Sequence, residues 1–214
     1  MNSLIIDCSA GMSIFLLKNN EQFSALDTNQ KRHTDELLLA VDRLFDDAKI
    51  SVNDLDYIGV CVGPGSFTGI RVAVSIAKGL AVESKIKIVQ MSNFDVYEIK
   101  NESEYVLVLD GFSNYVYARF VSKNGVIDKC VTVQELVENL KNNKKITTFV
   151  QTEKTQNILK QSEIVAQIAN YNAILCFNSK VDKNKFVDIE QMSPVYLRAS
   201  QAEIERQKKI EGKV

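Results

Sequence analysis

Apolar and polar positions alternate along this chain so as to mark short β-branched runs and longer amphipathic stretches. Ser3–Asp7, Met12–Lys18 and Gln22–Leu26 read as three strands, separated by the turn Asp7-Cys8-Ser9-Ala10-Gly11 and by Asn19-Asn20. A helix is predicted from Thr34 to Lys49. Thr34 suits its N-cap, Asp35 and Glu36 suit its first turn, and Leu37, Leu38, Val41, Leu44, Phe45 and Ala48 fall on one face. The other face carries Asp35, Asp42, Arg43 and Asp46, with Leu39 among them. Tyr57–Val62 is a fourth strand, apolar throughout except Gly59, and a second helix runs from a cap at Ser66 or Thr68 to Ser84. Lys87–Met91 is a fifth strand, and Ser92 is placed to cap a helix holding Asn93, Val96, Tyr97 and Ile99.

The polar stretch Lys100-Asn101-Glu102-Ser103-Glu104 marks a domain boundary, dividing 1–102 from 103–214. Beyond it, Tyr105–Leu109 is a strand, and Asn114–Ser122 and Val126–Val131 form a hairpin across Lys123-Asn124-Gly125. Thr132 and Glu135 have the spacing of a capping box and open a helix to about Lys141. Lys145–Val150 is a strand and Thr155–Gln161 a short helix. The order of three strands, helix, strand and helix thus occurs twice, without a sequence repeat. Between Glu163 and Phe186 two readings stay open, a helix over Ile164–Cys176 or a strand over Ala173–Phe177. Ala199–Ile210 reads as a charged helix.

The stretch Gly63–Gly79 holds four of the nine glycines and one of the two prolines. Gly63 and Gly65 permit backbone angles closed to other residues, and Pro64 stiffens the turn between them. Gly69, Ala73 and Ala77 recur every four residues, a small stripe along which another backbone can approach closely. The amides at this helix start form a natural anion site. A tight strand-to-helix corner without a ligand explains the spacing equally well.

Composition narrows the classes. With 214 residues, 45% of them apolar, the chain can bury a real core. Its 26 basic and 27 acidic side chains nearly cancel, which does not suit a protein that coats nucleic acid. Cys8, Cys61, Cys130 and Cys176 are far apart and lack zinc spacing, so they read as reduced thiols of a cytoplasmic protein. Leu4-Ile5-Ile6 is cut short by Asp7, unlike a signal peptide, and no apolar run approaches the roughly 18 residues that span a membrane. His33 is the single histidine and cannot build a histidine metal site alone.

The run Gly63-Pro64-Gly65-Ser66-Phe67-Thr68-Gly69-Ile70-Arg71, followed by Ala73 and a helix ending Gly79-Leu80-Ala81, resembles the TsaB (YeaZ) family. That family supplies a bacterial subunit required for threonylcarbamoyladenosine modification of tRNA. His33-Thr34, preceded by Lys31 and Arg32, and Pro194-Val195-Tyr196-Leu197-Arg198 match its other motifs. The resemblance implies a two-domain α/β fold of the actin, hexokinase and Hsp70 (ASKHA) superfamily, with duplicated βββαβα units and mixed sheets. It implies a non-catalytic subunit that pairs with the catalytic TsaD and the ATPase TsaE, meets tRNA through the complex, and binds no membrane. A homodimer of the isolated chain stays open.

Site residues follow from the same resemblance. TsaD's two metal-binding histidines fall at Asn93 and Tyr97, so neither a metal nor a catalytic residue is expected. Asp7 matches the family aspartate, and Asp7, Gly63, Gly65 and Ser66 are the candidates for a cofactor contact. No tightly bound cofactor is expected, and ATP or ADP only within the complex. In the family the two helices join two from TsaD in a four-helix bundle, so Leu39, Arg43, Gly69, Arg71, Val72, Ala73 and Ile76 are the expected partner contacts. Asp110 and Tyr117 match a second-domain pattern from which Gly111, Phe112 and Tyr115 depart, so no function is carried over to that domain. The rival reading is a small ATPase or kinase-like phosphotransferase, favoured by the glycine loop and Asp7. A metallopeptidase is opposed by the lone histidine.

Overall fold

The first strand, β1 (Asn2–Asp7), is buried along nearly its whole length because both its faces are covered. In the computed structural model, which describes residues 1–19, 21–27, 33–82, 84–143 and 146–199, it lies at the centre of a mixed five-stranded sheet. β2 (Met12–Lys18) and β3 (Glu21–Asp27) run antiparallel on one side; β4 (Tyr57–Cys61) and β5 (Lys87–Met91) run parallel on the other. The order is β3-β2-β1-β4-β5. α1 (His33–Ala48) and α2 (Phe67–Ala81) lie side by side on one face. Leu4, Ile6, Ile14, Leu16, Ile58 and Val60 meet Leu37, Val41, Leu44, Ile70, Ala73 and Ala77 there. The period of two in the strands and of 3.6 in the helices brings these residues to one layer.

Beyond a two-residue strand, β6 (Tyr97–Glu98), the pattern repeats. β7 (Tyr105–Asp110), β8 (Tyr115–Ser122) and β9 (Gly125–Thr132) form an antiparallel meander, then come α3 (Val133–Asn142), β10 (Thr147–Val150), α4 (Glu153–Gln161) and β11 (Gln167–Ile168). The sheet order β11-β10-β7-β8-β9 matches that of the first sheet strand for strand, with β10 and β11 parallel to the central β7. Leu136, Leu140 and Leu159 of α3 and α4 pack on Val106, Val108 and Val150. The duplicated βββαβα architecture expected from the element order is therefore present. Thr132 Oγ1 accepts a hydrogen bond from Glu135 N at 3.2 Å, and Glu135 Oε2 accepts from Thr132 N at 2.7 Å. Thr132→Ala lowers stability by about 1 kcal/mol, and Thr132→Ser restores most of it; urea denaturation of the three proteins measures both.

The inner faces of the two sheets share a third core. Ile5, Phe15, Val89 and Met91 come from the first sheet, and Leu107, Leu109 and Phe149 from the second. Between them lie Phe94, Val96 and the last described helix, α5 (Ala173–Asp182), with Ala173 and Phe177 facing inward. α5 packs on β1 and β5. Its Phe177 ring sits over Gly59, where an added Cβ would lie 2.6 Å from a ring carbon. The chain then runs back along the first unit. Val187 N donates to Ile88 O at 3.0 Å, Met192 enters the first core, and Val195 N donates to Val62 O at 2.8 Å.

Three expectations are corrected. The helix expected after Ser92 is absent: Phe94 N donates to Ser92 Oγ in a turn, and Tyr97–Glu98 pairs antiparallel with β12 (Asn170–Tyr171). Pairing to a segment more than 70 residues away, with Phe94 and Val96 buried between the sheets, overrides the local pattern. Between Glu163 and Phe186 neither open reading holds. Two two-residue strands lead to α5, which starts at Ala173 because Asn172 Oδ1 caps Leu175 N at 3.0 Å. Leu38, placed by its spacing with the core, is 50% exposed, one step around the helix from the fully buried Leu37. Lys31, Arg32 and nearly all of the expected charged helix at Ala199–Ile210 lie outside the described residues, as do the side chains of His33, Thr34 and Asp35. Among the described residues no helix is long and apolar enough to cross a membrane, and all four cysteines are free thiols.

Candidate functional site

The glycine loop between β4 and α2 is pressed against two other pieces of backbone. A Cβ at Gly63, whose φ is 113°, would lie 2.6 Å from the carbonyl oxygen of Val195. One at Gly65 would overlap the carbonyl oxygen of Ser9, and one at Gly69 that of Cys8. The loop is fastened by hydrogen bonds as well. Ser66 N donates to Ser9 O at 2.6 Å, Asn93 N to Gly63 O at 2.8 Å, and Asn93 Nδ2 to Pro64 O at 2.8 Å. Ser66 Oγ accepts from Gly69 N at 3.3 Å and caps α2. The glycines thus give the β1–β2 turn room to sit on the start of α2.

Asp7 closes this knot from the other side. Only 4% of it is exposed. Its Oδ1 accepts from Ser9 N at 2.9 Å and from Ser9 Oγ at 2.6 Å, and its Oδ2 accepts from the Tyr171 hydroxyl at 2.9 Å. Burial, then the Asp7 charge, push the Tyr171 and Tyr97 phenols well above their ordinary range. The same two causes push the Cys8 thiol up to about 12 and raise Cys61, so neither is a ready thiolate nucleophile. The four candidates Asp7, Gly63, Gly65 and Ser66 are therefore neighbours, with the Asp7 carboxylate and the Ser66 amide and hydroxyl engaged by the protein itself. Asp110 repeats the device at the end of β7: Thr152 Oγ1 and Thr155 Oγ1 donate to its carboxylate, and its amide donates to Gln151 Oε1 at 2.8 Å.

Tyr97 and Tyr171 meet edge to face, with centroids 5.7 Å apart, in the space between the sheets. Asn93 is buried beside the loop. Among the described residues no group of three or more His, Cys, Asp or Glu side chains could hold a metal ion.

The second candidate region is the outer side of α1 and α2. Leu39 is 54% exposed, Arg43 and Arg71 are exposed, and Val72 and Ile76 are half-buried. Gly69 and Ala73 are buried: their stripe faces the β1–β2 turn and the core, and offers a partner no surface. Leu38, half exposed, stands next to Leu39 on that side. Four residues were not placed at a site by the sequence. Ser9 and Tyr171 anchor Asp7, the latter from 164 residues away, and Phe67 stacks on Tyr196 with centroids 4.2 Å apart. The polar turn after Asp7, the Gly63–Arg71 run that contains Phe67 and the Pro194–Arg198 motif were the local signals; Tyr171 had none.

A family model described as TsaD, tRNA N6-adenosine threonylcarbamoyltransferase, matches residues 27–146, more than half of the chain. The tRNA threonylcarbamoyladenosine biosynthesis protein TsaB of Bacillus subtilis is 28% identical over 231 aligned positions, covering 97% of this chain and all of that protein. The chain belongs to the TsaB/YeaZ family. TsaB of Buchnera aphidicola from Acyrthosiphon pisum is 27% identical over 208 positions, covering 86% of this chain and 92% of that one. The solved structure of YeaZ from Pseudomonas aeruginosa superposes with a TM-score of 0.68 at 18% identity, over 91% of this chain and 100% of that chain. The fold is thus that of the YeaZ structure, an actin and Hsp70-like arrangement of two mixed sheets.

Proposed function

We propose that this chain is the non-catalytic TsaB-type subunit of the assembly that forms threonylcarbamoyladenosine in tRNA, in the cytoplasm. On this reading it pairs with a TsaD-like catalytic subunit, works with a TsaE-like ATPase, and meets tRNA through the complex. The observation that carries the pairing is the outer face of α1 and α2. Leu38 and Leu39 stand half exposed there, bordered by Asp42, Arg43 and Asp46, the make-up of a contact surface. The non-catalytic role is supported by the glycine loop and Asp7. A phosphotransferase of this fold would direct such groups at a nucleotide, whereas here Asp7 already accepts three hydrogen bonds from the protein.

Leu39→Asp tests the reading. The site is exposed, so the variant melts within a few degrees of the parent while its affinity for the TsaD-like subunit of the same organism falls at least about 30-fold. Calorimetric titration measures the affinity, and circular dichroism the melting. A folded Leu39→Asp protein that binds that subunit like the parent removes this face from consideration.

A further inference from the structure

Arg71 is exposed, yet its position is fixed. It stands one helical turn after Phe67, and its guanidinium carbon lies 4.1 Å above the centre of the Phe67 ring. Tyr196 stacks on the same ring, and its hydroxyl oxygen accepts a hydrogen bond from Arg71 Nε at 2.8 Å. Tyr196 is itself held in place. The residue before it donates to Val62 O, Leu197 packs, partly buried, against the core between the sheets, and the Arg198 guanidinium lies 4.0 Å over the Tyr115 ring of the second unit. Among the described residues only Nε of Arg71 is engaged in a hydrogen bond, and none of them forms an ion pair with its two terminal nitrogens.

We propose that Arg71 is a preorganised anchor for a carboxylate on the partner subunit, and that Tyr196 positions it. This rests on the reading of the α1–α2 face as the partner surface. A guanidinium whose planar fork is already oriented loses little freedom on docking, and two parallel N–H donors match a carboxylate. The surroundings favour a single acidic side chain over a nucleic-acid backbone. Along that side of α2, Arg71 is followed by Ser75 and, two turns on, by the single further cation Lys78, and Arg198 is turned away onto Tyr115. A phosphate track instead calls for several outward cations. The C-terminal motif thereby joins the docking surface, although it lies 125 residues from Arg71 in sequence.

A double-mutant cycle tests the proposal, with the full chain titrated against the TsaD-like subunit at low and high salt. Arg71→Gln weakens binding about tenfold or more and flattens its salt dependence. Tyr196→Phe keeps the ring stack, removes the acceptor for Nε and weakens binding about threefold. In the Arg71→Gln background, Tyr196→Phe has no further effect, because it acts through Arg71. An equal loss from Tyr196→Phe in both backgrounds overturns the positioning role. Unchanged binding by Arg71→Gln, with Leu39→Asp still disruptive, overturns the anchor and leaves the docking face standing; unchanged binding by Leu39→Asp removes the face itself. Loss of tRNA from an intact Arg71→Gln complex, with subunit affinity unchanged, assigns Arg71 to a phosphate and overturns the carboxylate.

Discussion

Gly69→Ala destabilises the protein by about 2 to 3 kcal/mol, an overpacking cost, and lowers its melting temperature by about 5 to 10 °C. Helix propensity alone predicts the opposite sign, since alanine is favoured over glycine inside a helix by about 1 kcal/mol. The decisive contact is with backbone. A Cβ at Gly69 would overlap the carbonyl oxygen of Cys8, in a turn tied to α2 by the Ser66 N to Ser9 O hydrogen bond. Neither side can move without breaking the other. Gly79 is the internal control: it lies in the same helix, exposed, and a Cβ there would meet nothing within 4 Å. Gly79→Ala therefore stabilises by about 0.5 to 1 kcal/mol. Thermal melts of the two variants beside the parent decide the matter, and stabilisation by both substitutions would mean that the loop and turn are not locked together.

Arg119→Met costs about 2 to 4 kcal/mol at neutral pH, because it leaves two partly buried carboxylates short of their cation. Arg119 Nε and Nη2 grip Asp128 at 2.8 Å each, while Nη1 reaches Asp95 at 2.7 Å. Lys180 of α5 completes the group at 3.0 Å from Asp95, and the guanidinium lies 4.7 Å over the Phe94 ring. The network ties the turn after β5, the second sheet and α5 together. Burial resists ionisation of Asp95, but the hydrogen bond from Arg119 and the charge of Lys180 outweigh it, and its carboxyl sits below the ordinary value. A depressed folded-state value contributes stability that is present above the ordinary carboxylate range, near pH 4, and lost as the pH falls through the lowered value. The parent therefore loses this contribution below about pH 4, and Arg119→Met, having lost most of it already, shows a shallower acid limb. Urea titrations at pH 7 and at stepped acid pH measure both effects. Identical acid limbs would show that Asp95 draws its stabilisation elsewhere.

Where local chemistry decides the structure, the sequence was readable. The β1–β2 turn, the helix cap placed at Ser66 or Thr68 and found at Ser66, and the Thr132–Glu135 capping box depend on residues within a few positions of one another. The segment after Ser92 was not readable, because a helical pattern of Val96 and Ile99 competes with a strand partner at Asn170–Tyr171. The small-residue stripe on α2 was legible as a site of close approach, but its spacing does not say which backbone approaches. The Cys8 carbonyl does so at Gly69, from within the same chain. The Asp7–Tyr171 and Arg71–Tyr196 pairs span 164 and 125 residues, and no periodicity reports such pairs.

The return of the chain to the first sheet has a consequence for how the protein is made. The first five strands and two helices have all emerged by Met91, yet the Gly59 surface of their sheet is covered by Phe177, and the glycine loop is closed by Val195. Vectorial synthesis usually lets an N-terminal unit fold while the rest is still being translated. Here the Gly59 side of the first sheet, with Ile5, Phe15, Val89 and Met91, lacks its cover until α5 and the segment around Val195 have been made. The first unit therefore reaches its final packing only once α5 and the segment around Val195 have been added.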